Sequence, residues 1–377
     1  MSDDTLVMLT DAAAAFAKPD SKRVRAARAT QPGFDAAVWR EMAAQGWFSV
    51  LVPEAQGGLG LGLAAAAAIA GRIGYAAFPE PFVAASVLTT AALARGDNPA
   101  LVARLLDAVA SGERVVTLGW QNDGGDLAPE ATGVRLQQTG ATAALSGSCR
   151  FVRVAAADVF VVAARGEHGL ALYAVERSRA GLDIVTEAAA DGSSAARLVL
   201  RAVAVSDADC VAGPATAGQA LAYAIDAAVL CTAAELTGSM ERVLELTFEY
   251  LRTRKQFGKP IGSFQALQHR AVDIWIQKEL SKAALEAALL RFDAPDATPL
   301  QRSLAASSAK SRAADAALLV CKQAVQLHGA IGFTDEYDLS LYFNRALVLA
   351  AWLGNGATHR RRYDALSLSA ATTGASA

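Results

Sequence analysis

The chain has 377 residues, 53% of them hydrophobic and 19% charged, with a net charge of −2. That is enough for two or three domains with sizeable cores, and the balanced charge argues against a polybasic binder of nucleic acid or anionic membrane. Cys149, Cys210, Cys231 and Cys321 lack CxxC spacing, and His168, His269, His328 and His359 form no ligand motif, so no metal site is expected. The cysteines read as buried thiols in a reducing cytoplasm.

The start, MSDDTLVMLTDAAAAFA, carries acids where a signal peptide needs positive charge. Residues 35–46 form a short amphipathic segment, followed by the turn-rich GWFSVLVPEAQGGLGLG. Its GGLGLG has no surrounding βαβ unit and does not read as a phosphate loop. Helical runs follow at 61–76, 83–95 and 98–111. The longest apolar stretch, LGLGLAAAAAIAGRIGYAAF, is alanine-rich and broken by Arg72, which fits a core helix better than a membrane span.

From residue 113 short β-rich runs such as ERVVTLGW, DVFVVAAR and AARLVLRAVAVS alternate with Gly, Asp and Ser. They predict a β domain, a barrel or a sandwich. From 213 the period is helical again, with segments at 214–252, 262–292, 297–329, 336–352 and 356–369. Long amphipathic helices with short links predict an antiparallel bundle. The fold class is therefore α+β: an N-terminal helical domain (1–112), a middle β domain (113–212) and a C-terminal four-helix bundle (213–377). The basic run Arg360, Arg361 and Arg362 reads as a solvated helix end complementing the dipole.

Two segments carry chemistry. In YLRTRKQFGKPIGSFQALQH (250–269), Arg252, Arg254 and Lys255 cluster beside an aromatic, a Gly and a Pro at a helix end. Such arginines suit a diphosphate, and equally a charged inter-helix turn. In AVQLHGAIGF (324–333), Gln326, Gly329 and Gly332 allow either close backbone approach to a ligand or a helix cap and bend.

Together these segments and WREMAAQGWFSVLVPEAQGGLGLG (39–62) resemble the acyl-CoA dehydrogenase family, in the right order and over nearly the whole chain. RTRKQFG looks like the family's RxxFG segment, and QLHGAIGF like its Q-x-x-G-x-x-G-[FY] segment. The resemblance implies FAD at a dimer contact, tetrameric assembly, and α,β-desaturation of an acyl-CoA thioester, with an electron-transferring flavoprotein reoxidising the flavin. Carried over, Arg254, Gln256 and Phe257 reach the FAD of a neighbouring subunit. Gln326 and Gly329 line its diphosphate and adenosine side.

The chain departs from the family in three places. Trp120 to Asn122, within LGWQNDGGDLAPE (118–130), replace a usual flavin-ring segment. In RFVRVAAADVF (150–160), Phe151 stands for the usual aromatic, but Arg153 replaces a hydroxyl residue near the flavin. The position of the family's glutamate base falls on Gly354 or Asn355, neither of which takes a proton near neutral pH. Weaker candidates for a base are Asp226, Glu235 and His359. Asp226 lies two residues from Ala228, an alternative glutamate position in some relatives, and so about 200° around the helix.

This pattern of loss resembles the small subunits of heterotetrameric acyl-CoA dehydrogenases, whose homologous partner chain carries the glutamate. It implies a cytoplasmic subunit that needs that partner. Other readings are a homo-oligomeric enzyme with a non-standard base, a non-catalytic acyl-CoA or FAD binder, and a different flavin chemistry on the same fold.

Overall fold

The computed structural model describes residues 3–139 and 142–374. The helices are α1 (Asp3–Phe16), α2 (Ser21–Arg28), α3 (Ala36–Ala44), α4 (Leu63–Ala76), α5 (Thr89–Leu93), α6 (Pro99–Ala110), α7 (Ala217–Thr253), α8 (Gln265–Phe292), α9 (Pro299–His328), α10 (Leu339–Ala351) and α11 (Gly356–Gly374). The strands are β1 (Val116–Gly119), β2 (Gly133–Thr139), β3 (Thr142–Arg153), β4 (Val159–Gly166), β5 (Gly169–Glu176), β6 (Leu182–Ala188), β7 (Ser194–Val205) and β8 (Cys210–Ala212), with a two-residue pair β9 (Lys255–Gln256) and β10 (Lys259–Pro260). The expected order of helices, then strands, then helices is the observed one.

Two compact units form. One comprises Met1–Val24, Ala67–Phe78 and Val229–Ala377, the other Arg25–Ala66 and Pro79–Ala228. The second holds a mixed sheet in the order β6-β7-β3-β2-β4-β5-β8, with β1 parallel to β4. Its halves join narrowly, β2 and β4 sharing the single register pair Arg135–Arg165. The strands thus form one mixed sheet whose two halves meet at that pair. VFVVAA of β4 is buried throughout, as a continuous apolar run requires. β3 is irregular between Cys149 and Val152, where Phe151 adopts φ 59°.

Aromatic side chains consolidate the helical part of this unit. Trp39 packs on Phe48 with ring centroids 4.1 Å apart, and Phe48 stacks on Phe82 at 6.3 Å. The run expected to be helical over 83–95 opens as a fully buried π-helix, Phe82–Leu88, before α5. The Thr89 hydroxyl at their junction donates to the Val116 carbonyl, 3.1 Å away. GGLGLG is a packing turn: a Cβ on Gly58 would stand 2.2 Å from the Val52 carbonyl oxygen.

The first unit is built on α9, which packs against α8, α10 and α11. A capping box fixes its start: Thr298 accepts from the Gln301 amide, the Gln301 side chain answers the Thr298 amide, and Pro299 takes the first turn. α7 and α9 are long and apolar enough to cross a membrane by length and composition, but the apolar window of α7 is 89% buried inside the protein. The apolar stretch containing Arg72 forms α4, whose C-terminal part approaches α7 backbone to backbone. A Cβ on Gly238 would lie 1.9 Å from the Gly71 carbonyl oxygen, and one on Gly74 1.9 Å from that of Glu235. This contact draws Ala67–Phe78 into the unit of the bundle, a division that the sequence texture does not mark.

Gly238→Ala is therefore expected to force these helices apart and cost about 1–3 kcal/mol or more. Urea unfolding of the two proteins would measure it, and equal midpoints would contradict so close a contact.

Candidate functional site

The end of α7 leads into a tight hairpin. Lys255–Gln256 pairs antiparallel with Lys259–Pro260, and the two turn residues Phe257 (φ 51°) and Gly258 (φ 79°) are both left-handed. That is the geometry of a type I′ turn, in which Asn-Gly is the favoured pair. A phenylalanine there is strained, and it is also 90% exposed, its ring meeting that of Phe264 edge-on with centroids 6.0 Å apart. Arg254 is exposed, and its guanidinium has no hydrogen-bond or ion-pair partner among the described residues. Gln256 is exposed, and its side chain donates to the adjacent Lys255 carbonyl at 2.9 Å.

α9 ends at a second exposed turn. Gly329 has φ 67° and ψ −143°, a region open essentially to glycine alone. Gly332 is buried, and a Cβ there would stand 2.9 Å from the Val325 carbonyl oxygen. Gln326, one turn before Gly329, is exposed, and its side chain has no partner among the described residues. These free donors and the open glycine backbone suit a diphosphate-bearing dinucleotide.

The β-domain candidates are committed internally. Arg153 donates to the Ser193 hydroxyl at 2.7 Å, and Ser193 donates to Asp191 at 2.5 Å. Phe151 lies under the Arg150 guanidinium, 5.0 Å away. Gln121 is buried and donates to the Gly125 carbonyl at 2.8 Å, while Asn122 donates to Asp126 at 3.0 Å. Trp120 is 3% exposed, its indole N–H buried without an acceptor among the described residues. The polar side chains of Gln121, Asn122 and Arg153 are thus engaged in their own unit.

The turn that replaces the expected glutamate is tightly held. Leu353 (φ 57°) and Gly354 (φ 89°) are both left-handed. Asn355 is the exposed N-cap of α11, its Oδ1 accepting from the Thr358 amide at 2.9 Å and the Thr358 hydroxyl at 3.1 Å. Lys310 of α9, fully buried, donates its three Nζ hydrogens to the carbonyls of Leu349 (2.9 Å), Trp352 (2.9 Å) and Gly354 (3.0 Å), with the Ala350 carbonyl sharing one of them at 3.4 Å. It caps the C-terminus of α10 from within the core. Burial pushes this lysine down to about 7.

The three alternative bases are all buried. Glu235 is 2% exposed, and the Arg345 guanidinium donates to it twice, at 2.8 and 2.6 Å. Asp226 is 2% exposed on α7. His359, the third candidate, is fully buried: its Nε2 donates to the Leu353 carbonyl at 2.8 Å. Burial, and then the Lys310 charge, lower it to about 3. The basic run also differs from expectation, because it lies near the N-terminus of α11. Arg360 pairs with Asp315 at 2.6 Å, and Arg362 donates to Ser307 at 3.1 Å. Sequence reasoning missed Lys310, since a lysine in an alanine-rich helix looks like a surface residue.

Against known proteins, the acyl-CoA dehydrogenase N-terminal domain matches residues 3–113 and the acyl-CoA dehydrogenase C-terminal domain residues 218–365. Acyl-CoA dehydrogenase IpdE2 of Mycolicibacterium smegmatis is 30% identical over 97% of this chain and 99% of its own length. Among solved structures, the Tcur3481–Tcur3483 steroid ACAD aligns with a TM-score of 0.88 at 29% identity, covering 98% of this chain and 99% of that one. The ChsE4–ChsE5 complex from Mycobacterium tuberculosis aligns at 0.86 and 27%, covering 96% of each chain.

The Lys310 site gives a pH signature. The folded chain releases this proton near pH 7, the unfolded chain only near the ordinary value of 10.5. Between those values the unfolded state binds more protons, so the site's contribution to stability rises with pH. The stability difference between wild type and Lys310→Met should climb across this window by up to about 1.4 kcal/mol per pH unit. Urea unfolding at pH 7.5 to 9.5, roughly the middle of that window, tests it, and a flat difference would contradict it.

Proposed function

The chain belongs to the acyl-CoA dehydrogenase family, oxidoreductases that act on CH–CH bonds, and from that premise we propose that it is the base-lacking subunit of a heteromeric, FAD-dependent enzyme. The observation that carries this reading is the turn Trp352–Asn355: a left-handed glycine and an N-capping carboxamide stand where the base belongs. Neither removes an α-proton at neutral pH. A homologous, glutamate-bearing chain supplies that base. The likeness to a steroid ACAD and to the ChsE4–ChsE5 complex supports a bulky, steroid-type acyl-CoA as substrate and assembly with a second chain.

The cofactor residues divide in the same sense. Arg254, Gln256, Gln326 and Gly329 are exposed and chemically suited to the diphosphate end of FAD. The polar residues at the ring-side positions are bonded within the β domain, which fits the ring less well. When bound, FAD supplies the acceptor for the β-hydrogen as hydride. This chain's part is to hold its phosphates with Arg254 and the glycine turn, and to present Phe257 across the subunit contact.

An exposed apolar stripe supports the assembly. Val272, Trp275, Ile276 and Leu280 of α8 are each at least 40% exposed and follow the spacing of one helix face. We place the enzyme in the cytoplasm, with an electron-transferring flavoprotein as its electron acceptor.

Purified alone, the chain is expected to carry less than one FAD and to show no bleaching when steroid acyl-CoA is added anaerobically. Co-expressed with the glutamate-bearing homologue, it is expected to bleach. Bleaching by the isolated chain would overturn the dependent-subunit reading.

A further inference from the structure

One buried ring joins the two exposed turns. His328 is the last residue of α9, immediately before Gly329, and is 3% exposed. Its imidazole stacks on Tyr250 of α7, with centroids 4.5 Å apart and planes inclined by 28°. It also packs against Tyr337, in the loop before α10, at 5.0 Å. Tyr337 meets Tyr250 edge-on at 6.4 Å. Tyr250 lies one turn before Arg254, whose amide donates to the Tyr250 carbonyl at 2.9 Å. The carbonyl of Arg254 in turn accepts from the Ile261 amide at 2.8 Å, closing the hairpin.

Both imidazole nitrogens are used. Nδ1 is 2.7 Å from the Ala324 carbonyl, which only accepts, so Nδ1 carries the hydrogen. Nε2 is then the lone-pair nitrogen and accepts from the Tyr337 hydroxyl, 3.1 Å away. Burial holds the ring below its ordinary value, against the carbonyls of Ala324 and Leu246. Phenylalanine would stack but make neither bond, and asparagine would not stack.

We infer that His328, held between Tyr250 and Tyr337, is a positioning residue that sets the glycine turn 329–333 against the Arg254 hairpin, and so shapes the site for the diphosphate end of a dinucleotide. This rests on the FAD reading above. The ring touches no phosphate itself. It fixes the spacing between two donor-bearing segments, and a diphosphate held by both segments is sensitive to that spacing.

The test uses the full chain in complex with its glutamate-bearing partner, stripped of FAD and reconstituted. FAD affinity is read by fluorescence quenching, ADP affinity by competition, and the apoprotein's thermal midpoint separately. His328→Phe should weaken FAD and ADP by the same factor, on the order of tenfold, while the absorption spectrum of the bound flavin stays unchanged. Tyr337→Phe, which removes one hydroxyl and keeps the packing, should shift both affinities in the same direction by a smaller factor. Unchanged affinities in both variants, with only a lower thermal midpoint, would reduce His328 to a core residue and overturn the inference. Failure of the wild-type complex to take up FAD would overturn the reading beneath it, and this inference with it.

Discussion

Four backbone carbonyls around one turn converge on a single buried ammonium. Lys310 reaches from α9 to the end of α10 and holds Leu349, Ala350, Trp352 and Gly354 at once. A lysine taken out of water needs several acceptors, and a helix C-terminus has unpaired carbonyls to offer. Once that exchange is made, the turn cannot relax without exposing both. Its left-handed Leu353 and Gly354 and the Asn355 cap follow from the same constraint. A glutamate at 354 would sit in a backbone region that favours glycine, and one at 355 would displace the N-cap. Leu353, Gly354 and Asn355 thus form a locally consistent turn in which neither 354 nor 355 is free to carry a carboxylate without rebuilding it.

The rest of the chain divides along the same line. The Arg254 and Gln326 side chains are exposed and without partners among the described residues, and Phe257 in the hairpin is strained and 90% exposed. Strain of this kind persists only where the surrounding structure fixes it, and it clusters at functional contacts. The β-domain positions are the reverse: Gln121, Asn122 and Arg153 have found partners within their own unit. The proposed reading accounts for both, since it has this chain offer its outward groups to a neighbour's site.

Much of this was legible in the sequence. The bundle helices were, because Pro299, Thr298 and the alanine-rich 3.6-residue pattern act locally. The glycine turn and the hairpin were readable as segments, since Gly329, Gly332 and Phe257-Gly258 are punctuation. Other features depend on contacts distant in sequence. The π-helix at Phe82–Leu88 has no local signal, and the regrouping of Ala67–Phe78 with the bundle depends on glycines 71, 74 and 238 meeting across two helices. The burial of Lys310 and His359 was not legible, because one-dimensional patterns do not reveal which helix face is covered on both sides. Arg360 to Arg362 looked like a helix end for the opposite reason: the boundary of α11 was placed well, but its neighbour α9, with Ser307 and Asp315, was invisible.

The central claim is that the proton acceptor lies outside this chain. Exchange of the acyl-CoA α-hydrogen with deuterated solvent reads that step without requiring hydride transfer. In the assembled complex, replacing the partner's glutamate by glutamine should abolish exchange, whereas Asn355→Ala in this chain should leave it within about twofold of wild type. Exchange that survives loss of the partner's glutamate, or that this chain catalyses alone, would place the base here and contradict the account.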